Sequence, residues 1–189
     1  IISSKILAAY STYVNIPTRW VDARDYICTD NTYREGKVDW PQTEDRIRRD
    51  IPAILDEQVI ITQGFIGSTS ENFTTTLGRE GSDYSAAIFA SCLNAEDITI
   101  WKDVPGVLNA DPKWFEKTEL IPELSYTDAI ELTYYGATVI HPKTIKPLQN
   151  KKITLNVRSF LNPEAPGTTI KTTNQTLPVP SFIFKVNQV

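Results

Sequence analysis

Residues 74–90, TTTLGREGSDYSAAIFA, constrain the fold of this chain more than any other stretch. Three threonines lead into Gly78-Arg79-Glu80-Gly81-Ser82-Asp83, and an alanine-rich segment follows. Gly78 and Gly81 permit a sharp bend and a close backbone approach to a ligand. Ser82 stands where a helix N-cap is expected, and Asp83 falls in the first turn. Small residues at Ser85, Ala86, Ala87, Ala90 and Ser91 predict a helix that lies close to a sheet. The free N–H groups and positive dipole end of that helix favour an anion. Arg79 adds a planar fork suited to a carboxylate or phosphate. Taken alone, a glycine-rich turn is more often a plain strand-to-helix connection.

The rest of the chain alternates helical and strand patterns. Ile2, Ile6, Leu7 and Tyr10 recur at helical spacing within Ile1 to Tyr13, which predicts a helix that buries them. Asn15-Ile16-Pro17 ends it. Thr18 to Ala23 reads as a strand, with Asp22 and Arg24 closing it as a structural pair. Cys28 to Trp40 reads as a surface loop or hairpin. Thr43 to Asp56 is helical in pattern, and Pro52 predicts a kink or two short helices. Its interleaved charges describe a solvated face. Val59 to Gly67, VIITQGFIG, predicts one buried parallel strand whose carboxyl end faces ligand. Ser68 to Thr75 is polar and expected to be mobile. Asp97 to Trp101 is the next strand, and a loop with Pro105 and Gly106 follows it. Ser125 to Asp128 forms a capping box, and Gly136 supplies a helix stop. His141 reads as a hydrogen-bonded structural residue. Ile153 to Arg158 is a strand, and Asn162 to Thr169 a turn.

A chain of 189 residues with 41% hydrophobic and 22% charged content suits a globular α/β domain with its own core. Its 19 basic and 23 acidic residues leave a net charge of −4, which gives no footprint for nucleic acid or an anionic membrane. No apolar run is long enough to span a bilayer, and no signal peptide opens the chain. Cys28, Cys92 and the single histidine make no zinc pattern, so no protein-held metal cluster is expected. Both cysteines read as reduced thiols of a cytoplasmic protein. The absence of methionine suggests a piece of a longer polypeptide.

Four blocks in order carry a resemblance: QGFIGST (63–69), TTLGREGSDYSAA (75–87), WKDVPGVLNADPK (101–113) and YYGATVIHPKTI (134–145). Together they resemble the aspartokinases of the amino-acid kinase superfamily, over about residues 1–170. The resemblance implies an α/β fold, with a largely parallel central sheet and helices on both faces. It assigns 1–170 to the C-terminal, nucleotide-side part of the kinase domain and 171–180 to a linker. It assigns 181–189 to the start of a truncated ACT-like regulatory domain. The family's phosphate loop, Lys-Phe-Gly-Gly-Thr-Ser, has no counterpart here. The Gly-Glu pair that holds the substrate amine would precede Ile1.

The implied reaction is ATP-dependent phosphorylation of the side-chain carboxylate of L-aspartate, with Mg²⁺, as the first step towards lysine, threonine and methionine. By the match, Arg79 binds the substrate α-carboxylate, with Ser82, the Gly81 backbone and Phe65 around it. Asp83 is the catalytic carboxylate, orienting Mg²⁺ or other cations near the phosphates. Lys102, Asp103, Leu108, Lys113 and Thr138 fall at nucleotide-binding positions. Thr138 departs from a lysine common in the family, Leu108 from a tyrosine and Glu80 from a glycine. The parent is expected to form a homo-oligomer. A kinase for another amino acid, a non-catalytic regulatory or assembly portion, and a fusion to homoserine dehydrogenase remain as alternatives.

Overall fold

The computed structural model describes residues 1–113, 115–134 and 139–173. The chain divides into two compact units, Ile1–Leu93 and Asn94–Val189. It is a mixed α/β chain, and three of the five strand pairs among the described residues are parallel.

The first unit opens with α1 (Ile2–Tyr13) and β1 (Thr18–Val21), followed by α2 (Ala23–Tyr26) and α3 (Trp40–Leu55). Next come β2 (Val59–Thr62), β3 (Ile66–Ser68), β4 (Thr74–Thr76) and α4 (Gly81–Leu93). β1 and β2 pair in parallel, and β3 and β4 form an antiparallel hairpin. Ile47 and Ile51 of α3 pack with Ile27, Leu77 and Ile88 to make the core. The helix is continuous through Pro52, so the two short helices read as one alternative do not form. Pro52 falls in the last turn, where it removes one hydrogen bond of the helix without ending it, and Asp39 caps the other end through Gln42 N at 3.1 Å.

Two other expectations change here. The apolar run 59–67 is not one buried strand: β2 and β3 are separate, and Val59 is exposed. Residues 68–75, expected to be mobile, instead close the β3–β4 hairpin, where the Thr29 and Thr75 hydroxyls meet at 2.7 Å in the interior. In α1 the predicted face is inverted. Ala8 is the buried residue, and Ile2, Ile6, Leu7 and Tyr10 point outward.

Asp22 does more than close β1. It caps α2 through Arg24 N, pairs with the Arg24 guanidinium at 2.6 Å and accepts from Gln63 Nε2. The hydrogen bond from Arg24 holds its carboxyl below the usual carboxylate range, against an opposing effect of burial. A carboxyl depressed in this way stabilises the fold above its unfolded value, near pH ~4, and stops doing so as pH falls through the lower folded value. Asp22→Asn should therefore cost about 1 kcal/mol at pH 7 in urea denaturation, with the gap to wild type closing as the pH falls below ~4. A gap that stays constant with pH would mean that the charge of Asp22 contributes nothing.

The second unit holds β5 (Asp97–Lys102), β6 (Glu123–Ser125), α5 (Tyr126–Tyr134), α6 (Pro142–Lys151), β7 (Thr154–Ser159) and β8 (Thr168–Lys171). Its strands form one sheet in the order β5-β7-β8-β6. Ile121, Leu124, Leu155, Val157 and Ile170 are buried in it. The capping box forms as expected: Asp128 N donates to Ser125 Oγ at 3.0 Å, and that hydroxyl donates to the Asp128 carboxylate at 2.7 Å. His141 is the N-cap of α6, its Nδ1 accepting from Lys143 N, which is the structural role read for it. Thr168 and Thr169, read as the end of a turn, belong to β8, and β6 was not foreseen. Lys171 ends β8 and pairs with Glu123 at 2.8 Å. Gly136, Thr138, most of the expected linker and all of 181–189 lie outside the described residues.

Candidate active site

In the first unit the site is built on two turns that meet at the start of α4. Gly78, at φ +78°, accepts from Gly81 N at 3.1 Å and closes a tight turn that leaves Arg79 exposed at its tip. Glu80 follows in a left-handed conformation, φ +52°, and its carbonyl accepts the first helical bond, from Tyr84 N. The cap position is therefore Glu80. Ser82 lies inside the first turn and is exposed, two positions past the N-cap it was expected to be. Asp83 is half-buried in the same turn, where the helix dipole favours a negative charge.

The second turn is Gly64–Phe65. Phe65 has φ +76°, an unusual conformation for an aromatic residue, and the interruption between β2 and β3 follows from it. Its amide donates to Ser85 Oγ at 2.9 Å, and its carbonyl accepts from Leu77 N at 2.9 Å. The ring lies against Gly81 so closely that a Cβ there would be 2.6 Å from Phe65 Cδ2. Phe65 is 42% exposed, so it is not a core aromatic.

Ser85 is the residue that sequence reasoning missed, because it was seen only as a small helix-packing position. Its hydroxyl donates to Gly81 O at 2.9 Å while accepting from Phe65, and so ties the two turns together. A serine four residues after the turn glycine, placed to back-bond that carbonyl, was the available signal. Beside these turns lies a cleft of about 350 Å³, with Gln63, Gly64, Ser82 and Ser85 in its lining together with Ile51 and Phe89.

In the second unit, Lys102 closes β5 and its carbonyl accepts from Phe160 N at 2.9 Å. Asp103 is exposed just beyond it. Val107 N, in the loop that follows, donates to Thr168 Oγ1 at 2.8 Å, which anchors the loop to β8. Leu108 bridges to Leu120 and is half-buried, and Lys113 is exposed in a turn held by Asp111. Thr138 lies outside the described residues. Among the described residues no group of three or more His, Cys, Asp or Glu side chains is arranged to hold a metal. Also among them, no helix is long and apolar enough to cross a membrane.

Residues 1–159 match the amino acid kinase family. The chain belongs to that family. It is 36% identical over 165 residues to the lysine-sensitive aspartokinase 3 of Escherichia coli, covering 86% of this chain and 37% of that protein. It is 37% identical over 169 residues to the chloroplastic bifunctional aspartokinase/homoserine dehydrogenase 2 of Arabidopsis thaliana, covering 89% of this chain and 18% of that protein. The crystal structure of E. coli aspartokinase III in complex with aspartate and ADP superposes with a TM-score of 0.85 at 34% identity, over 91% of this chain and 39% of that one. This amino acid kinase chain thus spans well under half the length of the relatives it matches.

Proposed function

We propose that the intact protein transfers the γ-phosphoryl group of ATP to the side-chain carboxylate of L-aspartate. The observation that carries this reading is the pair of interlocked turns. An exposed arginine fork and the first-turn N–H groups of α4 stand beside a left-handed Phe65, in a fold shared with an aspartokinase crystallised with aspartate and ADP. Phosphoryl transfer asks mainly for positioning and charge neutralisation, and a carboxylate acceptor is already a nucleophile. Arg79 would take the substrate α-carboxylate as a bidentate fork. Ser82 and the Gly81 backbone would add hydrogen bonds, with Phe65 as the wall.

Lys102, Asp103, Leu108 and Lys113 would serve the nucleotide, and Thr138 its phosphate end. Mg²⁺ is bound by one or two carboxylates plus substrate phosphates rather than by a full protein cage, which fits Asp83 in this part of the chain. When bound, it would neutralise phosphate charge. The pathway reading is synthesis of lysine, threonine and methionine, in a cytoplasmic homo-oligomer.

The test is to incubate the intact protein with MgATP and aspartate and to trap aspartyl phosphate as the hydroxamate. Product with aspartate supports the reading. Product only with another acid, or none in a folded protein that binds MgATP, refutes it. The 189-residue chain by itself lacks the family's phosphate-loop lysine. Its aspartate-dependent ADP release should not exceed that of its own Arg79→Ala variant in a coupled assay.

A further inference from the structure

Phe65 stands at φ +76°, a region that a residue with a Cβ keeps only when its surroundings hold it there. Its neighbours in sequence supply no such hold, since VIITQGFIG has the composition of a continuous strand. The hold comes from the two ends of the Arg79 turn. Leu77, just before the turn, donates its amide to Phe65 O at 2.9 Å. Ser85, one helical turn past Gly81, accepts from Phe65 N at 2.9 Å. The first of these bonds is backbone to backbone, whereas the second rests on a single side-chain oxygen. Ser85 is 2% exposed, and its hydroxyl proton goes to Gly81 O at 2.9 Å. Gly81 O has no need of that proton, because it already lies four residues before an amide of α4, as the acceptor of the helical pattern. What the bond does is orient the hydroxyl. With its one proton committed, the oxygen accepts from Phe65 and has nothing left to donate to a carboxylate ligand.

We propose that Ser85 is a positioning residue for the acid substrate: its hydroxyl keeps Phe65 left-handed and so fixes the Phe65 ring against Gly81, without touching the substrate itself. The proposal rests on the reading in which Arg79 and Phe65 receive aspartate. Without the hydroxyl, Phe65 N loses its acceptor, and the residue is free to relax towards the extended backbone that its sequence favours. That relaxation carries the ring off Gly81. It also reaches Ser82, because Gly64 sits so close to the start of α4 that a Cβ there would come within 2.9 Å of Ser82 Cα. Leu77 and Ser85 bracket Arg79 in sequence, so the same two bonds fix the spacing between the arginine fork and the aromatic wall. The nucleotide-side loop of the second unit takes no part in them.

The test is steady-state hydroxamate formation by the intact protein, with aspartate and MgATP each varied. Ser85→Ala should raise KM for aspartate about 10-fold and leave KM for ATP within about two-fold of wild type. A merely structural role would lower the folded fraction, and kcat with it, while both KM values stayed put. The Phe65→Gly background separates positioning from contact. Glycine takes a positive φ without being held, so adding Ser85→Ala there should change KM for aspartate by less than about two-fold. A 10-fold rise that persists in Phe65→Gly would mean that Ser85 meets the substrate directly, and would overturn the proposal. So would an unchanged KM for aspartate in folded Ser85→Ala, or an equal rise in KM for ATP. If Ser85→Ala does not fold, Phe65→Gly/Ser85→Ala should fold again, and a double variant that also misfolds overturns the proposal. A wild type that makes no aspartyl phosphate refutes the phosphoryl-transfer reading and the proposal with it. An active wild type with any of the adverse variant results refutes the proposal alone.

Discussion

Arg79→Ala in the intact protein should lower kcat/KM for aspartate by about 10²–10³-fold, with most of the loss in KM for aspartate and little change in KM for ATP. The fork is exposed at the tip of the Gly78–Gly81 turn, and the turn does not depend on the side chain. The variant should therefore keep its fold and its melting temperature. Arg79→Lys should recover only part of the loss, because an ammonium offers a point charge in place of two parallel donors. Steady-state hydroxamate formation at varied aspartate and fixed saturating MgATP measures both. An unchanged KM for aspartate in Arg79→Ala would remove Arg79 from the substrate site. A parallel rise in both KM values would point to a role in organising the turn.

The contrast between Arg79 and Phe65 explains how much of the site could be read from the chain alone. The Gly-Arg-x-Gly-Ser-Asp turn announces itself because glycines, a cap-like residue and small helix-facing residues act locally. The capping box at Ser125 and the capping role of His141 were legible for the same reason. Phe65 was not. VIITQGFIG reads as a single strand by composition, and its interruption comes from a left-handed residue held by Ser85 and Leu77, which are distant in sequence. The inverted α1 failed differently. Periodicity identifies which residues share a face, but not which face meets the sheet. Small residues allow the closer approach to β1 and β2, and they took the inner side. The hairpin at 66–76 was hidden because its threonines are satisfied by an earlier segment, Thr75 through the Thr29 hydroxyl and Thr76 through Tyr33 O, Arg34 O and Gly36 N.

Gly167→Ala should be the most destabilising of the single substitutions considered, at about 3 kcal/mol. Gly167 has φ +71°, and a Cβ there would lie 2.2 Å from Val157 O. That oxygen is backbone in β7, which is held by β5 on one side and by β8 on the other, so it cannot swing aside as a side chain would. Gly81→Ala differs, because the atom in the way is the edge of the Phe65 ring. That ring can turn, at a cost falling on the proposed substrate pocket more than on stability. Relief at Gly167 requires β8 to move, and Thr168 moves with it. Its hydroxyl accepts from Val107 N and donates to Ile121 O at 2.7 Å, so the loop carrying Asp103 and Leu108 loses its anchor. Thermal unfolding of the intact protein followed by tryptophan fluorescence should show a midpoint lowered by about 6–12 °C if the transition is two-state, and nucleotide affinity should fall below that midpoint as well. A lower midpoint with unchanged nucleotide affinity would separate the sheet from the loop. An unchanged midpoint would show that β7 and β8 yield more readily than their paired backbones allow.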